Sequence, residues 1–325
     1  MYWQRPQALV RTLIGIALCS VFGFFAHAEY PNRPIRILVP FTPGGSTDIL
    51  ARMIGQKLTE AWGQQVIADN RPGANGVVAA ELTAKSNPDG HTLMFVAIGH
   101  AINPILIKTL PYDPDKAFSA VSLTAVLPQI LAVHPAVKAS TLRELLSLAK
   151  GPKPVNYATG GIGSSQHLAT ELLNYMAKIK MNHVPYKGGN QGLLDVTAGH
   201  VDLIITTALT VLPHAKTGRI RALAASTSKR LEVMPELPTM AEAGVAGYES
   251  VAWYGLVAPA GLPPKVLEKI AIETVKATRS NDMQAALIKQ GAIPIGNTPG
   301  EFTQFIKSET TKYTKVIREA GIKPE

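Results

Sequence analysis

Pro43-Gly44-Gly45-Ser46-Thr47-Asp48 is a glycine-rich turn that follows an apolar run and precedes a helical repeat. Glycine lets backbone N–H groups approach a ligand closely. A helix start adds unpaired N–H donors and partial positive charge, so such a turn can hold an anion. Ser46 or Thr47 could add a hydroxyl. The alternative is a plain βα turn in which Asp48 stabilises the helix start. The turn has no Gly-Lys-Ser/Thr and does not fit G-x-G-x-x-G, so it is neither nucleotide fingerprint. Gly161-Ile162-Gly163-Ser164-Ser165 repeats the device in mid-chain. Two such turns, one in each of two domains, suggest helix N-termini facing across a cleft. That geometry suits a carboxylate held by backbone donors. A hydrogen bond to a charged group contributes roughly 1.5–3 kcal/mol. A few of these plus closure of an apolar pocket reach the ~8 kcal/mol of a micromolar binder without a buried arginine.

Other chemistries find no support in the residues. The histidines at 91, 100, 134, 167, 183, 200 and 214 show no metal spacing such as H-x-x-x-H, and no metal or cofactor is expected. His167, one turn into the helix after the second glycine loop, is the best candidate among them for a site role. There is no G-x-S-x-G elbow and no H-E-x-x-H. Cys19 is the sole cysteine. The basic residues are dispersed, so no nucleic-acid stripe is apparent.

The elements that must hold these turns alternate between strand and helix. Ile35 to Val39 reads as a strand, and Ile49, Leu50, Met53, Ile54, Leu58 and Ala61 recur at helical spacing. Val66 to Ala68 and Thr92 to Ala97 are further strands around a helix from Val77 to Lys85. Thr141-Leu142-Arg143-Glu144 and Thr298-Pro299-Gly300-Glu301 are capping-box patterns. Val155 to Ala158, Val201 to Thr206 and Arg221 to Ser226 read as strands, with a helix from Gln166 to Ile179. Strand–helix–strand units predict an α/β fold with parallel pairing.

The chain has 325 residues, 46% apolar and 17% charged, and a formal net charge of +9. That excludes a disordered chain and allows about two domains. Arg5 and Arg11, the apolar run from Thr12 to Phe25 and Ala26-His27-Ala28 read as a signal peptide over 1–28. Leu18 before Cys19 argues against lipid attachment. Cleavage would leave 297 of the 325 residues, with no cysteine. Net charge would fall from +9 to +7, since Arg5 and Arg11 leave with no acid.

Val121 to His134, broken at Pro128, and Ser250 to Pro259 look like crossings between domains. The expected division puts 29–125 with 254–325 in one domain and 126–253 in the other. A cleft between such domains is a preferred ligand site.

A resemblance rests on Tyr30-Pro31-Asn32-Arg33-Pro34-Ile35, Pro43 to Asp48, Asn70-Arg71-Pro72-Gly73-Ala74 and Asn87-Pro88-Asp89-Gly90. It continues through Leu110-Pro111-Tyr112-Asp113-Pro114, His183-Val184-Pro185-Tyr186-Lys187-Gly188 and Pro238 to Gly244. In this order the motifs resemble Bug-type proteins, the periplasmic substrate-binding components of tripartite tricarboxylate transporters. The resemblance implies a two-domain Venus-flytrap fold, with two interdomain chain crossings, of a monomer in the periplasm. It implies a small organic carboxylate as ligand, a membrane permease as partner, no nucleic acid and no enzymatic activity. One loop from each domain would pinch the ligand. Carried over, the ligand-binding set is Phe41, Pro43, Gly44, Gly45, Ser46, Thr47, Gly161, Gly163, Ser164, Ser165, His167, Tyr186, Gly188, Thr206 and Thr207.

Here the sequence departs from the family, which often has Asp-Asn where Thr206-Thr207 stand. Without that carboxylate a ligand ammonium loses its natural partner. A plain dicarboxylate or aromatic carboxylate is therefore expected rather than an amino acid. Phe41, Tyr186, Trp253 and Tyr254 could form an aromatic wall, with core or hinge packing the alternative. Two other functions stay open: a ligand sensor for a membrane signalling system, and an enzyme on the same bilobal fold.

Overall fold

Ile35–Val39, apolar and β-rich, forms β1 in the first lobe of a computed structural model that describes residues 30–319. The expected signal peptide, 1–28, lies outside the described residues. β1 pairs in parallel with β2 (Val66–Asn70) and β3 (Thr92–Ala97). Helix α1 (Ser46–Trp62) links β1 to β2, and Gly63 closes it in the left-handed conformation. Helices α2 (Val77–Ala84) and α3 (Gly99–Leu106) flank β3.

The expected break at Pro128 is absent: β4 runs unbroken from Phe118 to Val133. The reason lies in its pairing. Up to Pro128, β4 runs antiparallel to β9 (Val251–Pro259), and Pro128 stands opposite Val251, the first residue of that strand. From Gln129 on it pairs instead with β7 (Leu203–Thr207) and β8 (Arg221–Ala225). Proline has no N–H to give a ladder, so it is tolerated where one partner ends and the next begins. One strand thus serves both lobes. At this junction Ser226 Oγ accepts from Gln129 N (2.9 Å), and Ser250 Oγ donates to Gln129 Oε1 (3.0 Å). The two chain crossings are therefore tied together by buried hydrogen bonds.

The second lobe repeats the first. β5 (Asn156–Thr159) pairs in parallel with β6 (Asn182–Pro185) and β7. Helix α4 (Leu142–Ala149) precedes β5 and starts as its capping box predicts, with Glu144 N donating to Thr141 Oγ1 at 3.2 Å. Helices α5 (Ser165–Ala177), α6 (Gly189–Ala198) and α7 (Ala208–Lys216) follow β5, β6 and β7. The parallel pairing expected from strand–helix–strand units holds inside each lobe, but β4 and β9 make the sheet mixed.

The chain returns to the first lobe through β9. Then come α8 (Pro264–Arg279), α9 (Asn281–Ile288), the short β10 (Ile293–Pro294) and α10 (Pro299–Glu319). Thr298 caps α10, accepting from Glu301 N at 3.3 Å. Each lobe has its own apolar packing. Leu38, Met94, Val96, Ile102 and Phe302 meet in the first, and Leu131, Leu145, Tyr157, Leu173 and Leu203 in the second. Trp253 is fully buried with Phe302 and Phe305 edge-on, and its indole N–H donates to Glu309 (2.9 Å). That is core packing rather than a ligand wall.

Candidate functional site

Each glycine-rich turn sits at the carboxyl end of a strand, where the next helix begins. The β1–α1 turn is set by Asp48, which is 4% exposed. Its carboxylate accepts from Gly44 N (3.0 Å) and Asn70 Nδ2 (3.0 Å) and pairs with Arg52 (2.9 Å). Burial alone would raise its pKa, yet the Arg52, Gly44 and Asn70 hydrogen bonds hold it below the usual value. Asp48 thus acts as the turn's internal brace. Gly44 has φ +81°, a conformation that suits glycine. Gly45, the N-cap of α1, makes no side-chain cap, so the first N–H groups of the helix stay open.

The β5–α5 turn is braced from behind by histidines. Gly163 N–H donates to His167 Nδ1 (3.2 Å), and Gly161 N–H donates to Thr159 Oγ1 (3.1 Å). Thr159 Oγ1 in turn lies 2.6 Å from His183 Nε2. The two imidazoles stand 4.5 Å apart, and His183 stacks on Tyr157. The donors of Gly161 and Gly163 are therefore spent within their own lobe. Ser164 caps α5 through His167 N, which leaves Ser164, Ser165 and Gln166 to face the cleft.

Burial lowers both histidines to about pH 4, with the neighbouring His167 adding to the effect at His183. They are neutral at pH 7, and the acceptor role of His167 Nδ1 requires this. In the unfolded chain they titrate near 6.5. The stability they lend is complete above that value and is lost as pH falls toward 4. For His167 the loss is about 1.4 kcal/mol per pH unit. The melting temperature should therefore drop steeply between pH 6.5 and 4.5 in scanning calorimetry. A His167→Asn variant, which keeps an acceptor that cannot titrate, should show a flatter profile; identical profiles would refute this account.

An inner cavity of ≈30 Å³ lies where the two turns meet. Of the expected set, Phe41, Gly45, Ser46, Thr47, Ser164, Ser165 and Thr206 line it. It also gathers Thr42, Gln166, Gly189, Asn190, Thr210 and Tyr254. The starts of α1, α5, α6 and α7 all contribute to this lining, and Ile98, just before α3, joins them. Every lining side chain is neutral. Several partial positive charges thus converge without a cationic group. Thr42 Oγ1 is buried here with no hydrogen-bond partner among the described residues.

The remaining expected residues fall around this centre. Gly161 and Tyr186, again with Phe41, line an outer cavity of ≈210 Å³. The Tyr186 hydroxyl donates to Asp195 (2.6 Å); burial, then Asp195, raise its pKa to about 12. Pro43 accepts from Asn190 Nδ2 (3.1 Å), and Ser46 Oγ lies 2.5 Å from Thr207 Oγ1. Thr207 is fully buried and joins the lobes instead of facing the cavity. Gly188 abuts Thr42 across the lobes. His167 opens on a groove of ≈940 Å³ elsewhere on the second lobe. Gln166 and Asn190 were not foreseen, although each is the second residue of a helix that follows a Ser-Ser or Gly-Gly pair. Those pairs were the available signal. Among the described residues no cluster of His, Cys, Asp or Glu could hold a metal, and no helix is long and apolar enough to cross a membrane.

Comparison with known proteins gives concordant results. A family model described as tripartite tricarboxylate transporter family receptor matches residues 50–322. Protein BugT of Bordetella pertussis is 36% identical over 313 residues, which cover 95% of this chain and 96% of BugT. An R. palustris protein solved with adipate has a TM-score of 0.89 at 35% identity, covering 91% of this chain and 100% of its own. MatC from Rhodopseudomonas palustris, solved with bound malate, has a TM-score of 0.84 at 31% identity, covering 89% and 100%.

Proposed function

Because the chain belongs to the tripartite tricarboxylate transporter receptor family, we propose that it captures a small organic carboxylate between its lobes in the periplasm and delivers it to a membrane permease. The observation that carries this reading is the ring of helix starts around a cavity with only neutral side chains. A carboxylate fits such a site: open N–H groups bind its oxygens, and the helix dipoles offset its charge. The solved relatives named above hold adipate and malate, which are dicarboxylates.

The same lining disfavours an amino acid. Thr206 stands where a carboxylate could have met an ammonium, and its hydroxyl accepts from Gln166 Nε2 (3.2 Å). Asp48, the nearest acid to the first turn, is committed to Gly44, Asn70 and Arg52. The preferred ligand is thus a dicarboxylate or aromatic carboxylate without an amino group.

Capture works through closure. The ligand meets donors of both lobes only when they come together, so it favours that arrangement by differential affinity. The Ser46–Thr207 and Asn190–Pro43 hydrogen bonds belong to the closed arrangement. In this reading the lobes divide as 29–125 with 254–325 against 126–253, hinged where Gln129 meets Ser226 and Ser250. A thermal-shift screen of dicarboxylates, aromatic acids and amino acids tests the reading. Stabilisation by dicarboxylates or aromatic acids supports it. A response to glutamate or aspartate alone would overturn it.

A further inference from the structure

The two glycine-rich turns are held in the same way. Gly44 and Gly163 both have a left-handed φ, +81° and +75°. The N–H of each donates to a side chain four residues on, Asp48 for Gly44 and His167 for Gly163. Both braces come from the turn's own lobe. Where a side chain would stand on each glycine, an asparagine amide from the other lobe stands instead. A Cβ on Gly44 would lie 2.8 Å from Asn190 Nδ2, and a Cβ on Gly163 would lie 2.9 Å from Asn75 Nδ2. Each approach is close enough that a side chain on the glycine would displace the amide.

The two asparagines occupy equivalent places. Asn75 lies between β2 and α2, and Asn190 is the second residue of α6, just after β6. β2 is the parallel neighbour of β1, as β6 is of β5. Each lobe therefore reaches over the other's turn with the segment that follows its second strand. Neither amide is loose. Asn190 Nδ2 donates to Pro43 O (3.1 Å). Asn75 Nδ2 donates to Asn103 Oδ1 (3.0 Å), and Asn103 Nδ2 donates back to Asn75 O (3.1 Å). The second bond fixes which way the buried Asn103 amide faces, so its oxygen must meet the nitrogen of Asn75. This clasp holds Asn75 at φ +48° and ψ +37°, beside Ala74 at φ +43°. Asparagine visits that region more readily than most residues. Backbone so placed persists where its surroundings over-determine it, and it clusters at ligand clamps.

Resting on the reading that closure captures a carboxylate, we propose that Asn75 and Asn190 are paired positioning residues. Each seats one turn as the lobes meet, and so aims the first N–H groups of α5 and α1 at the ligand. When the lobes part, each turn keeps only the brace from its own lobe. Asn75 is not among the residues lining the inner cavity, so it acts there through Gly163 rather than by touching the ligand.

Titration calorimetry of the purified protein with adipate, malate and benzoate selects the tightest probe, which is then used for every variant. Asn75→Gly keeps the left-handed backbone and removes one amide. Asn190→Ala removes the other. Each should weaken the probe about tenfold, a loss of about 1.4 kcal/mol. The double variant should lose about a hundredfold, because the two contacts share no hydrogen-bond partner. Both effects should vanish in a Gly188→Ala background, where a Cβ against Thr42 already keeps the lobes apart. A residue that only supports its own lobe would weaken both backgrounds alike. Full affinity in either single variant, or equal weakening in the two backgrounds, would overturn the pairing while leaving the carboxylate reading intact. Failure of every acid to bind the unaltered protein would overturn that reading, and the pairing with it.

Discussion

Gly45→Asp is expected to abolish carboxylate binding while leaving the protein folded. Gly45 lies in the inner cavity at the head of α1, beside the open N–H groups that the ligand would use. Its φ of −82° is one that any residue can adopt. A Cβ there would meet only Asn190 Cβ and the Thr42 carbonyl, both at 3.8 Å, which is ordinary contact. The new carboxylate therefore costs the fold little. It would claim the donors intended for the ligand and set a like charge against it. Losing even one hydrogen bond to a charged group costs about 1.5–3 kcal/mol, and repulsion adds to this. Affinity for a dicarboxylate should fall by at least about a hundredfold, equivalent to about 2.7 kcal/mol. Gly45→Ala, with the same Cβ and no charge, should keep most of the affinity. Equal calorimetric affinities for Gly45→Asp and the unaltered protein would refute the assignment of this turn.

The residues that could be read in advance share a physical trait: their roles are local. The β1–α1 and β5–α5 turns follow from glycine conformations, helix starts and the strands just before them, all within about a dozen residues. The capping box at Thr141 is equally local, and it forms. What could not be read depends on contacts between distant segments. Asn190 reaches Pro43 across 147 positions of sequence, and Ser46 reaches Thr207 across 161. Nothing near Thr207 in the chain says that its hydroxyl will tie the lobes instead of facing a ligand. Gly161 and Gly163 look like donors from their loop alone. Their N–H groups are taken by Thr159 and His167, and only the folded lobe shows this. Pro128 misled for the same reason. A proline ends a strand in a uniform ladder, but β4 changes partners there, and a change of partner is a tertiary event. The short helices α3 and α7 contain Pro104 and Pro213, which hides them from a reading based on breakers.

Gly188→Ala separates closure from the ligand contacts themselves. Gly188 has φ 174°, extended backbone that any residue adopts, so its own lobe accepts an alanine without strain. Across the cleft, however, a Cβ on Gly188 would lie 2.3 Å from Thr42 Oγ1 and 3.0 Å from Thr42 N. Atoms cannot share that space, and Thr42 N is backbone with little freedom to withdraw. The substitution thus acts as a wedge between the lobes and touches nothing when they are apart. A ligand that binds the closed arrangement has its apparent affinity reduced by the fraction of molecules able to adopt it. If closure falls to about one molecule in a hundred, affinity falls about a hundredfold. The melting temperature of the protein without ligand should move little, because no core contact within either lobe is disturbed. Small-angle scattering should show that dicarboxylate contracts the unaltered protein and leaves Gly188→Ala extended. Serine at the same position should behave like alanine, since the conflict begins at Cβ. Normal affinity in Gly188→Ala would mean that ligand binding does not require the approach of Gly188 to Thr42, and capture by closure would have to be abandoned. Gly45→Asp and Gly188→Ala fail by different routes, one by charge at the donors and one by volume at the seam.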